Sequence, residues 1–374
     1  MKRIATAFII MAFSLFYPWR GQCQDETSED PLRIIGLRFH RSFVIQHTPK
    51  LKDEVTRSNP WCVEADINWH LRKRDTWNYC YCYPRTGFTL RYTNFDFPEV
   101  LGHAISVYPF IEPYIRPEKP LSFAIRFGIG PAFLTTVYDE ETNPDNLFFS
   151  SHISFIALLN FSCNYRVSER VNLRLAGNFN HISNAGYSEP NLGINFPSVN
   201  AGFDYSFTKP NFIAWDKDPS VVMVDRKNRF DIVAGISAKP IDEGKYEKRY
   251  PVYGFTLNYS RAVGRIFALA GGVEYVNDLS LEARIRRLGL VDGDGEYIDH
   301  NRAGALAGIE WLFGKFIFYQ QFGYYLYADF KEKGDFYQRY GLNFKISDHI
   351  FAGLNIKAEA QDADYMDARV GFYF

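Results

Sequence analysis

The chain has 374 residues, of which 47% are hydrophobic and 17% aromatic, with 34 Phe and 25 Tyr. That length admits one large domain or two ordinary ones, and a high aromatic load without long apolar runs suits a β-rich protein, including one whose strands face lipid. A formal net charge of −1 gives no electrostatic footing for nucleic acid, so no nucleic-acid partner is expected.

Residues 1–23 read as a secretory signal: Lys2 and Arg3 precede the apolar run IATAFIIMAFSLFY (4–17), which is too short and wrongly flanked for a stable anchor. Gly21 and Cys23 are the small residues at −3 and −1 for a cleavage before Gln24; the preceding WRGQ lacks the aliphatic and small pattern of a lipoprotein signal. Beyond this segment no stretch approaches the roughly 20 apolar residues of a membrane helix, so export without a helical span is expected. Cys62, Cys80, Cys82 and Cys163 then remain; an oxidising compartment permits a disulfide whose pairing the sequence does not give. Cys80 and Cys82 have no neighbouring His to complete a metal site, and no metal or other cofactor is expected.

From Leu121 the chain alternates with period two. Leu121, Phe123, Ile125, Phe127, Ile129 and Phe133 share one face, while Ser122, Ala124, Arg126, Gly128, Gly130 and Ala132 share the other. Residues 153–166 repeat the pattern, with Arg and Asn on the polar face. A soluble sandwich also alternates, but these segments exceed the usual strand of about five or six residues, and their polar faces suit a barrel lumen. Short connections (116–120, 167–170, 262–265, 314–315, 347–349) alternate with long polar ones (47–59, 138–147, 280–301, 329–335). That is the arrangement of periplasmic turns and extracellular loops in an outer-membrane barrel. CYCYP (80–84) falls where a short turn is expected. The ending VGFYF resembles the closing strand of such barrels. DGDGE (292–296) lacks the ligand spacing of a calcium loop and reads as a solvated acidic loop.

The two halves look alike. LLNFSCNYRVSERVNLRLAGNFNHIS in the first and YGLNFKISDHIFAGLNIKAEAQDA in the second both read strand, tight turn, strand. About eight strands fall in each half, the number that closes a small filled barrel. The fold expected is therefore all-β, a transmembrane antiparallel β-barrel. Two tandem eight-stranded units are expected, over 33–208 and 229–374 with a linker at 209–228; the alternative is one wide barrel of about sixteen strands.

The strand from Val171 carries the chemistry. Val171, Leu173, Leu175, Gly177 and Phe179 face lipid by parity, and His181 and Ser183 continue that face towards the extracellular rim. Asn195 shares the parity of Val199, Ala201 and Phe203 on the next strand and so can approach His181, unless Pro197 bulges the ladder and spoils the count. A Ser hydroxyl needs an adjacent base, an imidazole can take and return its proton, and a third group must hold the imidazole in one tautomer. Backbone N–H groups of Ala185 and Gly186 in the following turn could point at a developing oxyanion. Reactive groups turned to the bilayer suit a lipid ester as substrate.

HISNAG (181–186) followed by PNLGIN (190–195) resembles the outer-membrane lipid A 3-O-deacylases, the acyloxyacyl hydrolase family. The resemblance implies a small barrel that removes an ester-linked acyl chain from lipid A, with lipopolysaccharide of the bacterial outer membrane as partner. It implies His181 as base and Ser183 as nucleophile, with Asn184, Ala185, Gly186 and Asn191 around the oxyanion hole. The family's acidic third member, a Glu, maps to Asn195; Glu189 is the fallback acid in the loop. Aligned on the turn, the second half puts Ala360 at the place of His181 and Asp362 at that of Ser183, so it is expected to lack the site. The rival readings are a non-catalytic barrel, channel or surface protein, and a phospholipase with the same Ser–His chemistry.

Overall fold

A computed structural model describes residues 29–46, 51–213, 215–218, 227–241, 248–331, 333–360 and 362–374. The expected signal segment 1–23 lies outside the described residues, as do 214 and 219–226 of the expected linker. The first barrel consists of β1 (Leu32–Ser42), β2 (Trp61–His70), β3 (Arg85–Asn94), β4 (His103–Glu112), β5 (Tyr114–Ile115), β6 (Leu121–Leu134), β7 (Ile153–Arg166), β8 (Val171–Ser183), β9 (Ile194–Asn195) and β10 (Ser198–Ser206). β5 continues β4 past Pro113, and β9 continues β10 across Phe196–Pro197, so eight staves result. β10 pairs with both β1 and β8 and closes the ring.

The second barrel is β11 (Asn228–Lys239), β12 (Tyr250–Ala262), β13 (Phe267–Asp278), β14 (Asn301–Phe313), β15 (Phe316–Ala328), β16 (Phe336–Lys345), β17 (Ile350–Glu359) and β18 (Asp362–Tyr373), closed by pairing of β11 with β18. The chain is thus two eight-stranded antiparallel barrels in tandem, not one wide barrel. Among the described residues no helix is long and apolar enough to cross a membrane. A pair of separate rings follows from the break in alternation after β10: the chain leaves the first sheet at Phe207, and β11 finds its second partner in the chain's own last strand.

Period-two patterning builds both walls. β1 alternates buried and exposed along its whole length: Ile35, Leu37 and Phe39 face out, while Ile34, Arg38 and His40 face in. The outward residues form an apolar belt and the inward ones carry charge. In the first lumen Arg38 meets Asp204 at 2.7 Å, Arg126 meets Glu112 at 3.0 Å and Asp66 at 2.9 Å, and Arg174 meets Glu112 at 2.5 Å. The cost of burying these charges is offset by opposite charges and hydrogen bonds packed around them. The second lumen repeats the solution with Arg339 between Glu274 and Asp367, both at 3.0 Å.

Among the described residues three short helices interrupt the strands. α1 (Asp53–Thr56) belongs to an apolar cap at the long-loop end of the first barrel. There Leu51, Val55, Phe95, Leu101, Phe148, Phe149, Ile156, Ile182, Ile194 and Phe196 form one buried cluster. α2 (Arg74–Cys80) occupies the β2–β3 connection, where a short turn was expected; it ends in a Cys80–Cys82 disulfide with Tyr81 at φ 52°. Cys62 and Cys163 are free thiols. α3 (Leu279–Leu288) starts at Asp278, whose carboxylate accepts from the Ser280 and Leu281 N–H groups, and it ends at Gly289. In the DGDGE loop the Asp292 carboxylate accepts from its own loop's Asp294 and Glu296 N–H groups.

Candidate active site

β8 rises from the short turn 167–170 and ends at Ser183, at the end of the barrel that carries the long loops. Along it Arg174, Ala176, Asn178, Asn180 and Ile182 point inward and are buried, while Leu173, Leu175 and Phe179 are exposed on the belt. His181 and Ser183 fall on the belt side and are half-buried. Their inward neighbours fix the strand. Ile182 is fully buried in the apolar cap, and Asn180 donates to Phe196 O at 2.7 Å and accepts from Arg91 at 2.8 Å. A side chain whose backbone is locked by packing on the other face is held to a narrow range of positions.

Across the hairpin, His181 opposes Asn195 and Asn178 opposes Ser198, so the register is the same on either side of Pro197. Pro197 removes a ladder donor but inserts no residue, and the parity count survives. The result is a linear relay. Asn195 Oδ1 lies 2.8 Å from His181 Nδ1, and His181 Nε2 lies 3.0 Å from Ser183 Oγ. Asn195 is itself pinned, since its carbonyl accepts from Ile45 N at 2.9 Å.

Residues 184–187 form a tight turn closed by Tyr187 N–H to Asn184 O at 3.2 Å, with φ of 57° at Ala185 and 77° at Gly186. Two successive positive φ values are the mark of a primed turn, which leaves the central N–H groups unused. The Ala185 and Gly186 N–H groups accordingly donate to no acceptor among the described residues. Asn184 and Asn191 brace this turn. Asn184 N–H donates to Asn191 Oδ1 at 3.0 Å, and Asn184 Nδ2 donates to Ser188 O at 2.7 Å and to Ser150 Oγ at 3.2 Å. Glu189 accepts from Asn191 N–H at 2.8 Å; the place on His181 Nδ1 is taken by Asn195. The loop's return is stapled by Leu192 N–H to Leu147 O and Gly193 N–H to Phe148 O, at 3.1 and 3.2 Å.

Sequence reasoning passed over Gly193. Its φ is 64°, and a Cβ there would come within 2.8 Å of His181 Cε1 and 3.1 Å of Ser183 Cβ. The imidazole packs flush on this glycine, so a larger residue would displace the ring. The signal was present in PNLGIN, but only the fold puts that residue on the ring. In the second barrel β17 is the counterpart of β8. Ala360 lies in the turn after it, with φ 56°, and Asp362 already opens β18, so no His–Ser pair arises there.

Closed antiparallel barrels with an apolar outer belt and charged lumens define a class, the outer-membrane β-barrel proteins. Comparison with known families narrows it. The family described as lipid A 3-O-deacylase (PagL) matches residues 63–204, and the one described as the acyloxyacyl hydrolase C-terminal domain matches residues 228–374. The chain belongs to the outer-membrane lipid A 3-O-deacylase, or acyloxyacyl hydrolase, family, and it is a hydrolase acting on lipid A. Among solved structures it is similar to the outer-membrane enzyme PagL, at 16% identity over 45% of this chain and 97% of that one, with a TM-score of 0.34. It is also similar to Neisserial surface protein A, at 10% identity over 47% of this chain and 97% of that one, with a TM-score of 0.29. A comparison with curated proteins gave no match.

Proposed function

We propose that the chain is an outer-membrane serine esterase that removes an ester-linked acyl chain from lipid A, and that the first barrel carries the reacting groups. The observation that carries the reading is the Asn195–His181–Ser183 relay, with contacts of 2.8 and 3.0 Å on the lipid-facing side of the wall. His181 Nε2 takes the proton as Ser183 Oγ attacks the acyl carbonyl carbon. The carbonyl oxygen becomes an oxyanion beside the Ala185 and Gly186 N–H groups, whose hydrogen bonds strengthen as charge develops. Collapse expels the sugar alkoxide, which takes the proton from His181, and the acyl group stays on Ser183. Water then attacks the acyl-enzyme by the same route, releasing the fatty acid and restoring the hydroxyl. Asn195 Oδ1 accepts a hydrogen bond from the His181 Nδ1–H throughout and so keeps the Nε2 lone pair directed at Ser183. The site lies at the extracellular rim, level with the head groups of the outer leaflet, so the substrate reaches it sideways from the bilayer.

The direct test is mass spectrometry of lipid A from cells expressing wild type or Ser183→Ala. Loss of one acyl chain in the first and an intact pattern in the second is expected. Identical patterns in both would remove the proposal.

A further inference from the structure

The second barrel has no His–Ser pair, yet it touches the turn that follows Ser183. A Cβ placed on Gly186 would meet Ala363 O at 3.1 Å and Asp364 O at 3.2 Å, both on β18. The Arg249 guanidinium, just before β12, lies 4.1 Å from the centre of the Tyr187 ring. It donates to Tyr187 O and, at 2.9 Å, to Ala238 O of its own barrel. Asp364 is anchored in turn by Lys239 at 2.6 Å and Lys357 at 2.9 Å. The surface that meets Gly186 and Tyr187 is therefore tied into the wall and lumen of a closed barrel.

A second contact sits at the short-turn end. Tyr79, beside the Cys80–Cys82 disulfide, donates to Leu312 O at 3.0 Å and accepts from Gly314 N–H at 2.7 Å. Arg265 of the second barrel donates to Asn78 O and stacks on Tyr81 at 3.9 Å from the ring centre. The two barrels are clamped at both ends, with the 184–187 turn in the seam. A clamp at one end alone would leave the barrels free to pivot; two fix the position of Arg249 against Tyr187.

We infer that the second barrel is a rigid brace for the oxyanion turn and that Arg249 is a positioning residue for the reaction at Ser183. This rests on the esterase reading above. An isolated four-residue turn with two positive φ values is held only by its surroundings. Inside the first barrel Asn191 and Ser150 hold one side of it, and Arg249 with the Ala363 and Asp364 carbonyls close the other. The single-barrel unit thus carries the reacting groups, and its neighbour restricts the pair of N–H groups on which transition-state stabilisation depends. Because the brace acts on the transition state and not on lipid binding, its loss falls on kcat and spares KM.

The test uses the full chain in detergent micelles with purified lipid A, comparing wild type, Ser183→Ala, Arg249→Ala and Arg249→Lys. Arg249→Ala is expected to lower kcat by roughly 10-fold or more with KM little changed, as a displaced oxyanion donor would. Arg249→Lys keeps a cation over the ring and is expected to recover part of that loss. An Arg249→Ala kcat within twofold of wild type, beside an inactive Ser183→Ala, would overturn the brace and leave the esterase standing. A Ser183→Ala as active as wild type would overturn the esterase itself, and the brace with it. Should Arg249→Ala fail to fold, the double variant Tyr187→Cys, Arg249→Cys of the otherwise intact chain is expected to be bridged by a short bifunctional maleimide in the membrane. Absence of that bridge in the folded protein would refute the seam.

Discussion

Asn195 is the point at which this relay departs from an acid–base–nucleophile triad, and Asn195→Asp tests what the departure costs. The exchange is isosteric, so the carboxylate oxygen falls where Asn195 Oδ1 lies, 2.8 Å from His181 Nδ1. Two effects follow. Either residue accepts from the imidazolium, but only a carboxylate forms an ion pair with it, an attraction of about 1 kcal/mol at about 4 Å even in bulk water that is absent while the imidazole is neutral. The gain of about 1–1.5 kcal/mol in differential stabilisation is about tenfold in kcat. Second, an amide can also turn its Nδ2–H towards Nδ1, which would put the imidazole proton on Nε2 and disable the base; a carboxylate only accepts. In serine proteases that tautomer effect makes the Asp-to-Asn change worth roughly 10⁴ in kcat. The Asn195→Asp variant is therefore expected to be at least about tenfold faster than wild type, measured as fatty acid released from purified lipid A, with Ser183→Ala as the blank. Asn195→Leu, similar in size and unable to accept, is expected to be slower than wild type. A folded Asn195→Asp protein that is no faster than wild type would show that Asn195 does not orient the base, and the relay reasoning would fail.

Ser183→Ala and His181→Ala are each expected to reduce acyl release to background, and the double variant to be no worse than either, since the two groups act as a unit; a rate cut further in the double variant would contradict this. Gly193→Ala puts a methyl against the ring at a φ of 64°, at a strain of about 1–3 kcal/mol, and is expected to lower kcat while gel mobility reports an intact barrel. Ile182→Ala opens a cavity in the apolar cap and should destabilise the first barrel by about 2–5 kcal/mol, seen as a lower unfolding temperature in micelles. Treatment with chelator should leave the rate on micellar lipid A unchanged, because Ser–His acyl transfer uses no metal; a loss restored by added divalent cation would argue against it.

Much of the wall was legible because strand patterning is local. The outward run Leu173, Leu175, Phe179, His181, Ser183 needs only the period of two, and the partnership of His181 with Asn195 needs only that Pro197 leave the register unshifted. The cap was not legible. Residues 47–59 and 138–147 read as polar loops, yet Leu51, Val55, Phe148 and Phe149, in or beside them, belong to the buried cluster. Single apolar residues scattered through polar strings have no period to betray them, and their burial comes from four loops meeting over one barrel. The β2–β3 connection was mistaken for the same physical reason. A helix of seven residues followed by a disulfide is too short for periodicity, and its role lies in Tyr79 and Tyr81 meeting the second barrel far along the chain.

The placement of the relay on the outside of the wall also bears on the rival channel reading. A barrel has one inner face to use. In the first barrel that face is filled by Arg38, Arg91, Arg126, Arg174 and their carboxylate and amide partners at mid-height and by the apolar cap above. Residues that alternate along β8 thus divide two tasks. Asn178, Asn180 and Ile182 lock the strand from within, and His181 and Ser183 lie on the outer side of a backbone held in register, because a slip by one residue would turn Arg174 and the inward amides of β8 out of the lumen. A filled lumen gives the stiffness that a 3.0 Å Ser–His contact requires, and a substrate dissolved in the membrane makes an inward site unnecessary. The second barrel fits the same logic: its lumen is packed with ion pairs, it lacks the pair of reactive groups, and it meets the first barrel at the turn where stiffness matters most.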